Sequence, residues 1–326
     1  MGLPLAGIAV LDLSIWRPGP YATSLLCALG ADVLKVEPPG GDPMRHYGEL
    51  FAAVNAGKRS IVLDLKDADD LAQARTLADD ARVVVEGFRP GVMQRLGLDE
   101  PSVRARNPAV VYCSISGYGQ SGPLAALPGH DVNYQGWAGS LSPDGQQAIM
   151  PPLPAADLAS GMTGAFGICA ALLGGEGAYL DISMTDVMST WTGDASVKSD
   201  GVVPGYGIFS TADGLQLTLG VVNEQHFWSA LCHALDLGHV ADLDFEERSH
   251  RGEELQEVIA TAVVTHQRDE LVTTLLAAGV PVGPVLDRVG MVGNAPFPSF
   301  PIRWPVIGVS GPVPTLDQHR GQGFHP

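Results

Sequence analysis

The sequence predicts an α/β protein: a parallel sheet covered by helices on both faces, followed by a smaller α+β domain. Three observations point there. Short runs rich in Val, Ile and Leu recur through the first 190 residues, helical stretches separate them, and a polar, glycine-bearing stretch from Gly193 to Gly207 divides this part from the rest.

The first apolar run is Gly7-Ile8-Ala9-Val10-Leu11-Asp12-Leu13. Tyr21 to Leu29 reads as a helix closed by Gly30. Ala31 to Glu37 is a second run, ended by Pro38-Pro39-Gly40. Strand-like runs then recur at Ser60–Leu65, Arg82–Glu86 and Ala109–Ile115, with a helix from Ala68 to Asp79. An Ala/Leu-rich helix runs from Leu158 to Leu173 before the run Tyr179–Met184. Beyond the divide, Gly214–Gly220 is strand-like, and Gln225–Leu235, Arg251–Thr265 and Arg268–Ala278 are helical. The rhythm is Rossmann-like. It divides into a large domain at 1–190, a linker at 191–207, a small α+β domain at 208–292, and a proline-rich tail at 293–326 that returns to the large domain. The first strand leads into Ser14-Ile15-Trp16-Arg17-Pro18-Gly19-Pro20, not a GxGxxG turn, so a dinucleotide fingerprint is absent. Phosphate-loop, zincin and serine-hydrolase motifs are absent as well.

Of the 326 residues 45% are hydrophobic, enough for a substantial core. Nineteen Lys+Arg against 36 Asp+Glu give a net charge of −17, which disfavours nucleic acid and anionic membranes as partners. The four cysteines are far apart and sit mostly in apolar stretches, the pattern of buried thiols in a cytoplasmic protein. No basic leader and no run of eighteen uninterrupted apolar residues is present, so neither export nor a membrane span is expected.

Two residues carry the chemistry. Asp157 is expected at the N-cap of the Leu158 helix, where it is either a capping carboxylate or an ionised base or nucleophile held against the helix dipole. His130 lies in the loop Gly129-His130-Asp131, where a structural core histidine is less usual, so it is either a surface loop histidine or a functional one. Asp131 either orients the ring or is solvated. The remaining histidines have no metal-ligand spacing, so no metal is expected. Lys35, Lys58, Arg59 and Arg89 lie at or near presumed strand ends, where open α/β sheets bind ligands, and in so acidic a chain such a cluster points to an anion site.

These features resemble the family III CoA-transferase superfamily, which includes the α-methylacyl-CoA racemases. The likeness is carried by Pro4–Leu13, Pro18-Gly19-Pro20-Tyr21-Ala22, Leu29–Pro43, Asn55–Lys66, Phe88-Arg89-Pro90-Gly91-Val92 and Ser116–Pro123. The resemblance implies an acyl-CoA thioester substrate, no separate cofactor, a large CoA-binding domain with a small one, and an interlocked homodimer. It assigns Lys35, Lys58, Arg59 and Arg89 to the CoA nucleotide and phosphates. Transferases of the superfamily use the aspartate matching Asp157 as a nucleophile that forms a mixed anhydride. Racemases keep it and add the histidine of a Gly-His-Asp-x-Asn-Tyr motif, present here as Gly129 to Tyr134, and a glutamate matching Glu224 that pairs with it. The expectation is therefore a 2-methylacyl-CoA racemase or epimerase working through an enolate, with His130 and Asp157 as its two bases. N–H groups at the start of the Leu158 helix would hold the enolate oxygen. A CoA-transferase, or a CoA-ester binding protein without catalysis, is the alternative. The connectors at 173–179 and after Met184 are shorter than the family's. Trp16-Arg17 would narrow the acyl pocket or contact a charged acyl group.

Overall fold

The computed structural model describes residues 2–141, 147–193, 201–293 and 311–325. They divide into two compact units, one formed by the described residues up to 193 with 311–325, the other by 201–293.

The first unit is built on six parallel strands: β1 (Ala9–Asp12), β2 (Asp32–Glu37), β3 (Arg59–Val62), β4 (Val83–Glu86), β5 (Val111–Ser116) and β6 (Ala178–Ser183), in the order β3-β2-β1-β4-β5-β6. β1, β2, β4 and β5 are almost wholly buried, which is why they read as continuous apolar runs; edge strand β6 alternates instead. Strand order reverses between β1 and β4, and the loops leaving those two strands open the crevice where sheets of this kind hold ligands.

Helices α1 (Pro18–Ala28), α2 (Gly48–Asn55), α3 (Ala68–Asp80), α4 (Val92–Leu96), α5 (Glu100–Arg104), α6 (Asp131–Trp137), α7 (Ala155–Gly174) and α8 (Met184–Thr192) cover the sheet. α1 starts at Pro18 rather than Tyr21, because proline's fixed φ suits a first helical turn. One core, with Val10, Val83, Val85, Cys113 and Ile115, faces α1 and α7; the other, with Leu11, Val84 and Tyr112, faces α3 and α5. With 20 residues and a mean hydropathy of 1.4, α7 is long and apolar enough to cross a bilayer by length and composition alone, a test that the core helix of a folded domain also passes. Asp157, Ser160 and Thr163 had interrupted the apolar run in the sequence. Here its small residues pack inward, Gly161 against Pro18 and Gly164 against Ile115, while Met162, Phe166 and Leu173 stay exposed.

The described part of the tail lies along β3. Val62 N–H donates to Asp317 Oδ1 (2.8 Å), Ser60 N–H to His319 Nδ1 (3.1 Å), and His319 N–H to the Ser60 carbonyl (2.9 Å). An edge strand that would offer unpaired N–H groups is thereby closed. Residues 294–310 of the expected tail, and 194–200 of the expected linker, lie outside the described residues.

The second unit is a three-stranded antiparallel sheet, β7 (Tyr206–Ser210), β8 (Gln216–Gly220) and β9 (Val282–Pro284), in that order. With it come α9 (Gln225–Ala234), α10 (Phe245–His250), α11 (Gly252–Val263), α12 (Arg268–Ala277) and α13 (Arg288–Gly293). Its core gathers Leu217 and Leu219 with Trp228, Leu231, Ile259 and Leu275. β7 begins inside the expected linker, since Tyr206 and Gly207 read as loop in the sequence yet pair with Gly220 and Leu219.

Candidate active site

The end of β1 replaces a glycine turn with a carboxylate. Asp12 is fully buried, and it accepts from Ser14 N–H (3.0 Å), Ser14 Oγ (2.5 Å), Thr23 Oγ1 (2.6 Å) and Lys58 Nζ (3.0 Å). Burial by itself would raise this carboxyl, but Lys58, Lys35 and the two hydroxyls hold it well below the usual carboxylate range. Lys58 Nζ also donates to Pro20 O, Thr23 Oγ1 and Asn55 Oδ1, so the ammonium is saturated. Burial pulls Lys58 down to about 8, against the opposing pull of Asp12. Lys35 pairs with Asp42 (2.9 Å) and donates to Ser14 O (2.7 Å), both side chains fully buried.

This corrects three of the expected CoA contacts. Lys35 and Lys58 are sealed inside the sheet, and Arg59 is held by Asp32 (3.0 Å) and the Gly323 carbonyl (2.7 Å). A cation in a strand covered on both faces must find an internal anion, so these groups organise the fold instead of facing solvent. Only Arg89, on the loop after β4, is exposed and has no ion-pair partner among the described residues. Arg95 in α4 and Lys66 after β3, which the sequence did not single out, are exposed too. Asp12 was also missed; its signal was a charge at the end of an apolar strand, matched by lysines elsewhere.

On the other side of the β1 loop stand His130 and Asp157. His130 is the N-cap residue of α6, where its own N–H donates to Asn133 Oδ1 (3.0 Å), leaving the imidazole exposed. Tyr134, one turn on, donates to Gly129 O (2.5 Å). Its ring lies so close to Gly117 and Gly129 that a Cβ at either would collide with it. Tyr118 packs edge-on against the same ring, at 5.2 Å between centroids. The Ser116-Gly117-Tyr118-Gly119 and Gly129–Tyr134 stretches are thus one packing unit that presents His130.

Asp157 is the third residue of α7, not its N-cap. The helix starts at Ala155 behind Pro154, and the cap comes from outside: Asp131 Oδ1 accepts the Asp157 N–H at 3.0 Å. Asp131 Oδ2 accepts from Gln135 Nε2 (2.5 Å), so Asp131 is fixed rather than solvated. Burial first, then the Asp131 charge, push the Asp157 carboxyl up to about 7, with Arg17 opposing. At neutral pH this group is poised to exchange a proton.

Trp16 lies beside His130, their rings meeting edge-on at 6.1 Å, and the charge of its neighbour Arg17 is felt at Asp157. Trp16 holds φ +63°, a strained conformation for a bulky residue. The expected oxyanion donors at the start of α7 are engaged, Asp157 N–H by Asp131 and Leu158 N–H by Pro154 O. The first-turn N–H groups of α6, at Asp131 and Val132, have no partner among the described residues and directly follow His130.

Glu224 lies in the second unit, at the N-cap of α9. Its Oε2 accepts Val222 N–H (3.2 Å), and Arg248, buried against Trp228, donates to Val222 O (3.0 Å). Among the described residues no cluster of His, Cys, Asp and Glu could hold a metal ion.

The profile of CoA-transferase family III matches residues 5–297. The succinate–glutarate CoA-transferase of Agrobacterium fabrum is 35% identical, over 86% of this chain and 80% of its own. The alpha-methylacyl-CoA racemase of Homo sapiens is also 35% identical, over 72% of this chain and 65% of its own. A CAIB/BAIF family protein from Brucella suis has the same fold, with a TM-score of 0.85 at 29% identity over 98% of both chains. With the doubly wound sheet and the Asp157 site already described, these matches mean that the chain belongs to CoA-transferase family III.

Proposed function

We propose that this protein is a racemase or epimerase of 2-methylacyl-CoA thioesters, moving one α-proton through an enolate with His130 and Asp157 as its two acid/base groups. The observation that carries the proposal is that one short loop meets both: Trp16 packs on His130 while Arg17 acts on Asp157. A thioester α-carbon is a weak acid, so a base near neutral pKa needs help from donors at the oxygen that becomes negative. The Asp131 and Val132 N–H groups, at the positive end of α6, suit that role better than those of α7. With one group removing the proton and the other returning it from the opposite side, the centre inverts. Arg89, Arg95 and Lys66 are exposed cations available to the CoA phosphates.

The test is incubation of each 2-methylacyl-CoA enantiomer in heavy water, following α-deuterium uptake and inversion. Both should occur; absence of both across diverse acyl chains rejects the racemase. The second reading is a CoA-transferase with Asp157 as nucleophile, favoured by the CoA-transferase relative matched over the larger share of the chain. Hydroxylamine trapping of an acyl group on Asp157, with transfer to a free carboxylic acid, would establish it.

A further inference from the structure

Arg17 is drawn in from solvent and left without a partner. Every other described arginine that is not exposed is engaged: Arg45 by Glu37, Arg59 by Asp32, Arg248 by the Val222 carbonyl, and the rest by acidic side chains or carbonyls around them. Arg17 is partly buried, yet its side chain makes no hydrogen bond or ion pair with any described residue. None of its nitrogens is sealed from solvent, so the guanidinium is open to a ligand. Its position adds to the cost of keeping it. Arg17 is the N-cap of α1, where the helix dipole repels a cation, and no acidic residue in the first turn offsets this. A cation held against both local rules points to function.

α1 begins against the face of α7 that carries Asp157. The Pro18 carbonyl lies 2.6 Å from the place a Cβ on Gly161 would take, and Gly161 is one helical turn beyond Asp157 on the same face. On the other side of Arg17, the Trp16 ring meets His130 at 6.1 Å. Asp157 feels the Arg17 charge, but the two make no ion pair, so Arg17 is not spent on holding that carboxylate. The CoA phosphates stand at the far end of the pantetheine arm from the thioester. The part of the substrate that reaches Arg17 is therefore the acyl group.

We propose that Arg17 is a specificity residue that binds a carboxylate on the acyl group, so that the substrates are CoA thioesters of 2-methyl-branched dicarboxylic acids. The inference rests on the reading that Asp157 meets the acyl group. In a chain of net charge −17, a further carboxylate brought beside Asp157 and Asp131 would be repelled. A free guanidinium offsets that repulsion and supplies two parallel N–H donors matched to a carboxylate. An uncharged acyl chain would leave Arg17 as it stands, withdrawn from water and unpaired.

The probes are two pairs of CoA thioesters matched in shape and differing in charge: 2-methylglutaryl-CoA with 2,5-dimethylhexanoyl-CoA, and 2-methylsuccinyl-CoA with 2,4-dimethylpentanoyl-CoA. Each dicarboxylic acid is joined through the carboxyl beside its methyl group. Calorimetric titration gives the dissociation constants, and mass spectrometry follows α-deuterium uptake in heavy water. In at least one pair the charged ester should bind about ten- to a hundredfold more tightly, the span of a hydrogen bond to a charged group. Arg17→Gln should bring that pair within about twofold, and Arg17→Lys, which keeps the charge without the planar fork, should keep part of the preference. Equal or weaker binding of the charged ester in both pairs overturns the proposal, whether or not a variant folds. So does a preference that both variants leave intact. The two readings fail separately. A preference without deuterium uptake from any ester rejects the racemase and keeps the Arg17 assignment; uptake without a preference keeps the racemase and rejects the assignment.

Discussion

Replacing Asp131 by Asn separates charge from geometry at the site. The amide oxygen can still accept the Asp157 N–H that Asp131 Oδ1 now accepts at 3.0 Å, and the Gln135 amide, turned over, can offer its oxygen to the new NH2 in place of the bond that Asp131 Oδ2 accepts, so the start of α7 keeps its cap. What disappears is a negative charge beside a carboxyl pushed from its ordinary 3.8 up to about 7. Burial is the larger cause and Asp131 the second, so removing the charge recovers less than half of that rise. About one pH unit, or ~1.4 kcal/mol, is the expected size. In the direction in which Asp157 removes the proton it must be ionised, so kcat/KM falls as pH drops below about 7. In the variant this acidic limb moves down by about one pH unit. At pH 6, activity relative to its own plateau then rises roughly fivefold. The assay is α-hydrogen exchange of 2-methylacyl-CoA followed from pH 5 to 9, the assay limits being roughly the range over which such groups titrate. A limb that stays in place, or moves up, refutes the account of what sets the Asp157 proton affinity.

His130→Gln should abolish inversion, with a loss of about 10²–10⁴-fold, while the enantiomer whose proton Asp157 removes still takes up deuterium with retention; chiral chromatography with mass spectrometry reads both. Asp157→Asn should lower exchange by a similar factor and, for a racemase, no acyl-enzyme is trapped by hydroxylamine in either protein. Asp12→Asn leaves the Lys58 ammonium buried without its anion and should cost about 3–5 kcal/mol, read as a lower melting temperature at pH 7. The sign of its pH dependence follows from Lys58, which sits at about 8 with Asp12 holding it up and lower without it: raising the pH towards that value neutralises the stranded ammonium and softens the loss. Arg89→Ala should raise KM for acyl-CoA with little change in kcat, as expected of a group that binds ground state and transition state alike.

The strands were legible because five of the six lie in apolar runs whose pattern depends only on being covered from both sides. The link between the His130 segment and Asp157 was not legible as geometry. The bond that joins them runs from Asp131 to a backbone N–H twenty-six positions away, and no local spacing encodes it. Asp157 was placed at the helix cap because aspartate favours that position. The helix begins earlier because Ala155 and Ala156 extend it and Asp131 supplies the cap from another segment. The cations were misread for a different reason. A lysine beside a strand end looks the same in sequence whether its ammonium faces solvent or a buried carboxylate, and only the three-dimensional meeting of Asp12, Lys58, Lys35 and Asp42 decides which.

That buried cluster also bears on what the site can do. In a doubly wound sheet that holds a dinucleotide, the turn after the first strand is kept as bare backbone so that phosphate can approach the following helix. Here the same turn is filled: Asp12 pins Ser14 and Thr23, and Lys35 reaches the Ser14 carbonyl, fixing the strand-to-helix passage from which Trp16 and Arg17 project. The strain at Trp16, with φ at +63°, is held by this network and directs the ring onto His130. Loosening the cluster without touching either acid/base group should therefore damage the chemistry. Thr23→Val removes one hydroxyl from both Asp12 and Lys58 while nearly keeping volume. It should lower exchange by more than it lowers the affinity for CoA, measured by titration. If exchange and CoA affinity fall together, the loop is held by something other than Asp12, and the link from the end of β1 to His130 is lost.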